Sequence, residues 1–129
     1  MDDAAVIHAL FAAFGRRDLR AALELLAPDV EFWPQGTQKR IAREAPYVGH
    51  EGMREYFSDV EAAWDELEIE AQDLRAVSGG VAAFGVARGT PADGEPIEAP
   101  VFWVFRLRDG LVVHGRAVAT AAEAVAVRV

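Results

Sequence analysis

Residues 96–120, "PIEAPVFWVFRLRDGLVVHGRAVAT", alternate in character on both sides of Asp109-Gly110. A two-residue Asp-Gly connection suits a type I′ hairpin, whose twist matches that of the strands it joins. The turn sets a register: Arg108 pairs with Leu111, so Phe102 faces Ala117 and Val104 faces Gly115. On the other side Phe105 meets His114 and Trp103 meets Arg116. Residues 80–90 extend the pattern. A symmetric connection about Asp93 pairs Phe84 with Phe102, Val86 with Pro100 and Arg88 with Glu98.

These pairings predict a sheet with two unlike faces. One carries Phe84, Val86, Phe102, Val104, Gly115 and Ala117, with Arg88 opposite Glu98 near one end. Helices must cover it, and its small last-strand residues leave room for a pocket lined by aromatic side chains. The other face carries Trp103, Phe105, His114 and Arg116. No helix remains to bury it, so it is expected to join two copies of the chain in a homodimer, with Trp103 stacked on Arg116.

The helices lie upstream. Val6, Ile7, Leu10, Phe11 and Phe14 have helical spacing over 3–15, behind Asp2 and Asp3 at the favourable end of the dipole. Gly15 stops this helix, and Asp18 caps a second, shorter one that ends before Pro28. "VEFWP" reads as a short strand closed by Pro34, and "QGTQKRIAREAP", residues 35–46, as a loop over the pocket mouth. A third helix begins near "GHEG", with Met53, Tyr56, Phe57, Val60 and Trp64 on one stripe. Strands follow over 66–76, 80–90, 97–108 and 111–119, and Thr120 with Glu123 has capping-box spacing for a closing helix. The fold class is α+β: three N-terminal helices on a curved, mostly antiparallel sheet, in one domain over 1–129.

Composition narrows the function. The 129-residue chain has a formal charge of −8, which disfavours nucleic acid and anionic membranes as partners. It has no cysteine, which excludes disulfide scaffolds and thiolate chemistry. No apolar run approaches membrane-spanning length and "MDDAAVIHAL" is acidic where a signal peptide is basic, so a soluble, cytoplasmic protein is expected. Neither a metal-ligand spacing nor a phosphate-binding glycine loop is present, so no metal and no cofactor are expected.

Four segments in order, "RRDLRAALELLAPDVEFWP", "YVGHEGMREYF", "FWVFRLRDGLVVHGRAV" and "AAEAV", resemble the nuclear transport factor 2-like superfamily, in particular its SnoaL-like branch. The resemblance implies a cone-shaped, cystatin-like roll with a pocket between helices and sheet, commonly dimeric through the outer sheet face. It also implies what this chain lacks. At the places of the ketosteroid isomerase tyrosine, oxyanion-hole aspartate and catalytic base stand Leu10, Phe102 and Pro34. The Asp-Arg-Asp set of a related epoxide hydrolase is matched only by Arg88 with Glu98.

The candidate catalytic groups are therefore Glu98 as base, Arg88 as oxyanion holder, Tyr56 as a donor to a carbonyl and His50 as a proton carrier. Arg88 would depress the Glu98 pKa and weaken that base, and a plain cross-strand ion pair is the simpler reading. His50 equally serves as a helix-capping residue. Trp33, Phe14, Trp64, Phe84, Phe102 and Ala117 are expected to shape the binding site for a small apolar or ring-containing ligand. Lys39, Arg40 and Arg43 form either a basic lid for an anionic ligand or, the simpler reading, a solvated loop whose length still suits a gate over the mouth. Two functions remain open: an isomerase, cyclase or hydrolase acting on a ring-containing metabolite, or a non-catalytic binding or dimerisation module.

Overall fold

The computed structural model describes residues 1–120, 122 and 124. Helix α1 (Asp3–Gly15) starts where the Asp2 carboxylate accepts a hydrogen bond from the Ala5 amide, and α2 (Leu19–Leu25) where Asp18 does the same for Ala21. These side chains satisfy amides that a helix start leaves unpaired. Between the helices Arg17 adopts φ 56° and its guanidinium donates to the Trp64 carbonyl at 2.7 Å. That bond ties the α1–α2 turn to the backbone at residue 64.

Strand β1 (Leu26–Trp33) begins earlier than "VEFWP" implied, because residues 26–29 continue extended through Pro28. The expected loop over 35–46 is instead largely helical: α3 (Gln35–Ile41) ends at Ala42 in the left-handed region, with the Ala42 amide donating back to Lys39. Its polar, mixed-charge sequence hid it. A two-residue strand β2 (Tyr47–Val48), also unforeseen, leads into α4 (Gly49–Ala63). The meander β3 (Trp64–Val77), β4 (Gly80–Pro91), β5 (Ile97–Arg108) and β6 (Leu111–Val118) falls where the alternation placed it.

Among the described residues six strands run in the order β2-β1-β6-β5-β4-β3, antiparallel except where β1 lies parallel to β6. Helices α1, α2 and α4 cover one face, giving the expected α+β cone. The connection between α4 and β3 is abrupt. Trp64, expected on the helical stripe, is the first residue of the strand.

One part of the predicted register is corrected. Asp109 and Gly110 take φ 54° and 79°, as a type I′ turn requires, and Arg108 pairs with Leu111. Two residues on, a bulge inserts Val113 into β6, so Phe105 pairs with Gly115 and Trp103 with Ala117. The β4–β5 pairs, including Phe84 with Phe102 and Arg88 with Glu98, stand as predicted. The consequence for the faces is large. Gly115 and Ala117 do lie under the helices, but beside Trp103 and Phe105, which are 4% and 0% exposed in the main core. Phe84, Phe102, Val104, Arg88 and Glu98 lie on the outer face. Trp103 and Phe105 therefore cannot form a dimer surface, and Arg116 stacks on Trp33 (5.3 Å) rather than on Trp103.

The core explains why β5 turns this way. Phe11 meets Phe105 and Trp103 edge-on at 5.5 and 5.9 Å, and Trp103 stacks against Phe32 and Phe105 at 5.4 and 5.6 Å. Aromatic pairs in these geometries add to the gain from burial itself. On the outer face a smaller cluster joins Ala82, Val104 and Ala124, with Phe84 and Phe102 at its edge. Thr120 and Ala124 are joined by a helical backbone bond, while Glu123 of the anticipated capping box lies outside the described residues. Among the described residues no helix is long and apolar enough to cross a membrane.

Candidate functional site

Where α3 overhangs the open ends of β3, β5 and β6, the inner layer leaves a cavity of about 640 Å³. Its back wall is Trp103, held flat between Phe32 and Phe105, with planes 13° and 9° from parallel. Ala87, Ala99 and Ala117 keep the strand side shallow, and Leu67, Ile69 and Val101 make it apolar. The small residues anticipated on the last strand are thus what hollows the sheet, although the aromatic wall facing them belongs to the other set of β5 residues.

The polar groups come from the helices. Trp64 Nε1 donates to Thr37 Oγ1 at 3.3 Å, and Tyr56 lines the same cavity. Burial pushes the Tyr56 pKa well above the ordinary tyrosine value, with Thr37 partly opposing it. Tyr56 is therefore a neutral hydroxyl throughout the physiological range. The indole Nε1 of Trp103 is buried with no hydrogen-bond partner among the described residues. At the mouth Arg40 lies 4.8 Å above the Trp64 ring, and Lys39 sits beside it on α3. No Asp, Glu or His lines this cavity among the described residues.

The sequence-derived candidates separate accordingly. Tyr56, Trp64 and Ala117 line the cavity, and Phe102 borders it while its ring packs on Phe84 outside. Phe14 lies deeper, wedged among Phe32, Tyr56 and Phe57. Phe84 is on the outer face under Arg75, and Trp33 is there too, donating to Glu31 at 2.7 Å. His50 Nε2 lies 2.9 Å from the Leu26 carbonyl, which fastens α4 to β1 and keeps the imidazole away from the cavity.

Arg88 and Glu98 do bond, at 2.9 Å, but as part of an exposed cluster in which Arg88 also reaches Glu70 and Glu68. The one-residue slip at Val113 removes them from the helix-covered side. They border a groove of about 700 Å³ with Asp65, Glu66 and Glu68, whose charged walls suit solvent better than an apolar guest. Sequence reasoning missed Thr37 and Trp103 as cavity residues, while Lys39 and Arg40, two of the three candidate lid cations, do border the cavity. A regular two-residue hairpin conceals the bulge, and a polar seven-residue helix has no apolar stripe to reveal it.

The sequence pattern of the SnoaL-like domain matches residues 7–115. This chain belongs to that family. The SnoaL-like domain also superposes on solved structures over nearly its whole length. A nuclear transport factor 2-like protein of unknown function from Burkholderia pseudomallei gives a TM-score of 0.80 at 22% identity, covering 95% of this chain and 94% of that one. TerC, crystallised with polyporic acid, gives 0.79 at 22% identity over 93% and 92% of the two chains. IdmH of Streptomyces antibioticus, a proposed polyketide cyclase, gives 0.73 at 25% identity over 98% and 97%. No curated protein is similar enough to match.

Proposed function

We propose that this SnoaL-like domain binds a small, ring-containing, mainly apolar ligand in the cavity beneath α3, without supplying a carboxylate or imidazole base of its own. The observation that carries this reading is the composition of the wall: aromatic and aliphatic surface, hydrogen-bond donors, and no carboxylate or imidazole among the described lining residues. Base-catalysed isomerisation or cyclisation begins with removal of a proton from carbon, a task that falls most often to His, Asp or Glu and less often to Lys or Tyr. Tyr56, kept protonated by burial, Thr37 and the cations of α3 are better suited to hold an oxygen acceptor or stabilise negative charge on it. This composition favours ligand binding over carboxylate- or imidazole-catalysed turnover. The co-crystallisation of TerC with polyporic acid and the description of IdmH as a proposed polyketide cyclase support an organic small molecule as the guest.

Fluorescence titration with the neutral probe N-phenyl-1-naphthylamine tests the site. Saturable binding that is lost in Ala117→Trp, which fills the cavity, and kept in the Arg88→Gln/Glu98→Gln pair supports it. Binding that ignores Ala117→Trp, or that collapses when the outer-face pair is neutralised, overturns it. The partner reading also includes a homodimer through the outer face, now formed by Trp33, Phe102, His114 and Arg116. Light scattering of the wild type at one-chain mass, at any concentration reached, rejects that part alone.

A further inference from the structure

We infer that the ligand of this cavity is an anion, with its acidic group held at the mouth by Arg40 and Lys39 of α3. The inference rests on the binding reading above and adds the charge of the guest. Lys39 and Arg40 are the only charged side chains among the described residues that line the cavity, in a chain whose net charge is −8. A surface so acidic repels anions at long range, so an anionic guest needs local cations to be retained. An apolar guest needs none.

Arg40 is pre-positioned for this role. Its guanidinium rests on the Trp64 ring at 4.8 Å, and Thr37 and Gln38 anchor α3 through bonds with Trp64 Nε1 and the Ala45 carbonyl. The nearest acid is Asp93 on the β4–β5 connection, 3.7 Å away and 88% exposed. So long and solvated an ion pair binds weakly and exchanges readily for a better acceptor. A carboxylate, sulfonate or enolate on a ring system seated against Trp103 would take the place of Asp93 and offer the planar guanidinium two oxygens. Basic residues at the end of a helix also suit its dipole, but the dipole sets no direction for their side chains. Here both border the cavity. Arg43, the third cation of this segment, does not: it is bound to Glu55 and to the Ala45 and Pro46 carbonyls.

Two probes with the same ring system separate charge from shape: 8-anilino-1-naphthalenesulfonate, an anion, and N-phenyl-1-naphthylamine, its neutral parent. Wild type is expected to bind the sulfonate more tightly, and added salt to narrow the difference. Arg40→Gln should weaken the sulfonate about tenfold and leave the neutral probe unchanged, Arg40→Lys should restore part of the loss, and Asp93→Asn should tighten the sulfonate. Unchanged neutral binding in Arg40→Gln also shows that the variant is folded. Equal affinity for both probes, or a sulfonate affinity indifferent to Arg40→Gln, overturns the anion inference while the cavity stands. If Ala117→Trp spares both probes, the site itself falls, and this inference with it.

Discussion

At residue scale, His114 sits among unlike charges on the outer face. Its register partners are Glu31 on β1 and Arg106 on β5, and Arg116 follows two residues along β6. Its Nε2 is buried without a partner among the described residues, and the loss of water holds its pKa below the ordinary histidine value, with Glu31 opposing and both arginines reinforcing the shift. A depressed value in the folded state means that the unfolded chain takes up the proton first. Stability from this group is complete above the unfolded value of about 6.5 and declines as pH falls below it. The melting temperature should therefore drop between pH 7 and 5, and His114→Gln should flatten that part of the profile. An unaltered slope in the variant would assign the acid sensitivity elsewhere. Gly115 offers a second check. A Cβ there would lie 3.0 Å from the Phe105 ring and 3.1 Å from Phe32, both fully buried and unable to retreat. Gly115→Val should cost about 1–3 kcal/mol by chemical denaturation.

Among the elements, β5 decides what the sheet can do, and it shows which parts of the structure were readable in advance. Helices α1, α2 and α4 and the four-strand meander announce themselves through apolar spacing, caps and the Asp109-Gly110 turn. The faces do not, because alternation reports only that two sides differ. Phe102 and Trp103, or Val104 and Phe105, are equally good core residues, and the choice between them was made by one extra residue, Val113, in the opposing strand. Helix α3 was unreadable for another reason: Lys39 and Arg40 look solvated until Trp64, which seats one of them, is placed at the start of β3. The corrected face has a measurable consequence. Phe105→Ala should destabilise the protein by about 3–5 kcal/mol in a urea melt, as loss of a fully buried ring does. Phe84→Ala, from the half-open outer cluster, should cost far less. Equal penalties would return both faces to doubt.

For the molecule as a whole, the helical layer and the cavity are built from shared parts. Arg17, in the first reversal of the chain, holds the backbone of Trp64 and Asp65, and Trp64 in turn seats Thr37 and Arg40 at the mouth. Arg17→Ala should therefore lower affinity for a cavity probe as well as stability. If the probe's dissociation constant is untouched while the melting temperature falls, the mouth is independent of that tether.

The seat of β1 beside β6 carries a lesson about manufacture. A ribosome releases β1 early; on one side it pairs with β2, the next strand in the chain, but on the other with β6, the last in sequence order among the described residues. Phe32 meets Phe14 and Tyr56 from segments made before β6, but its stack on Trp103 and its seat beside Gly115 wait for β5 and β6. That long-range parallel pairing is slow to form, and until β6 is in place one edge of β1 stays open to other strands.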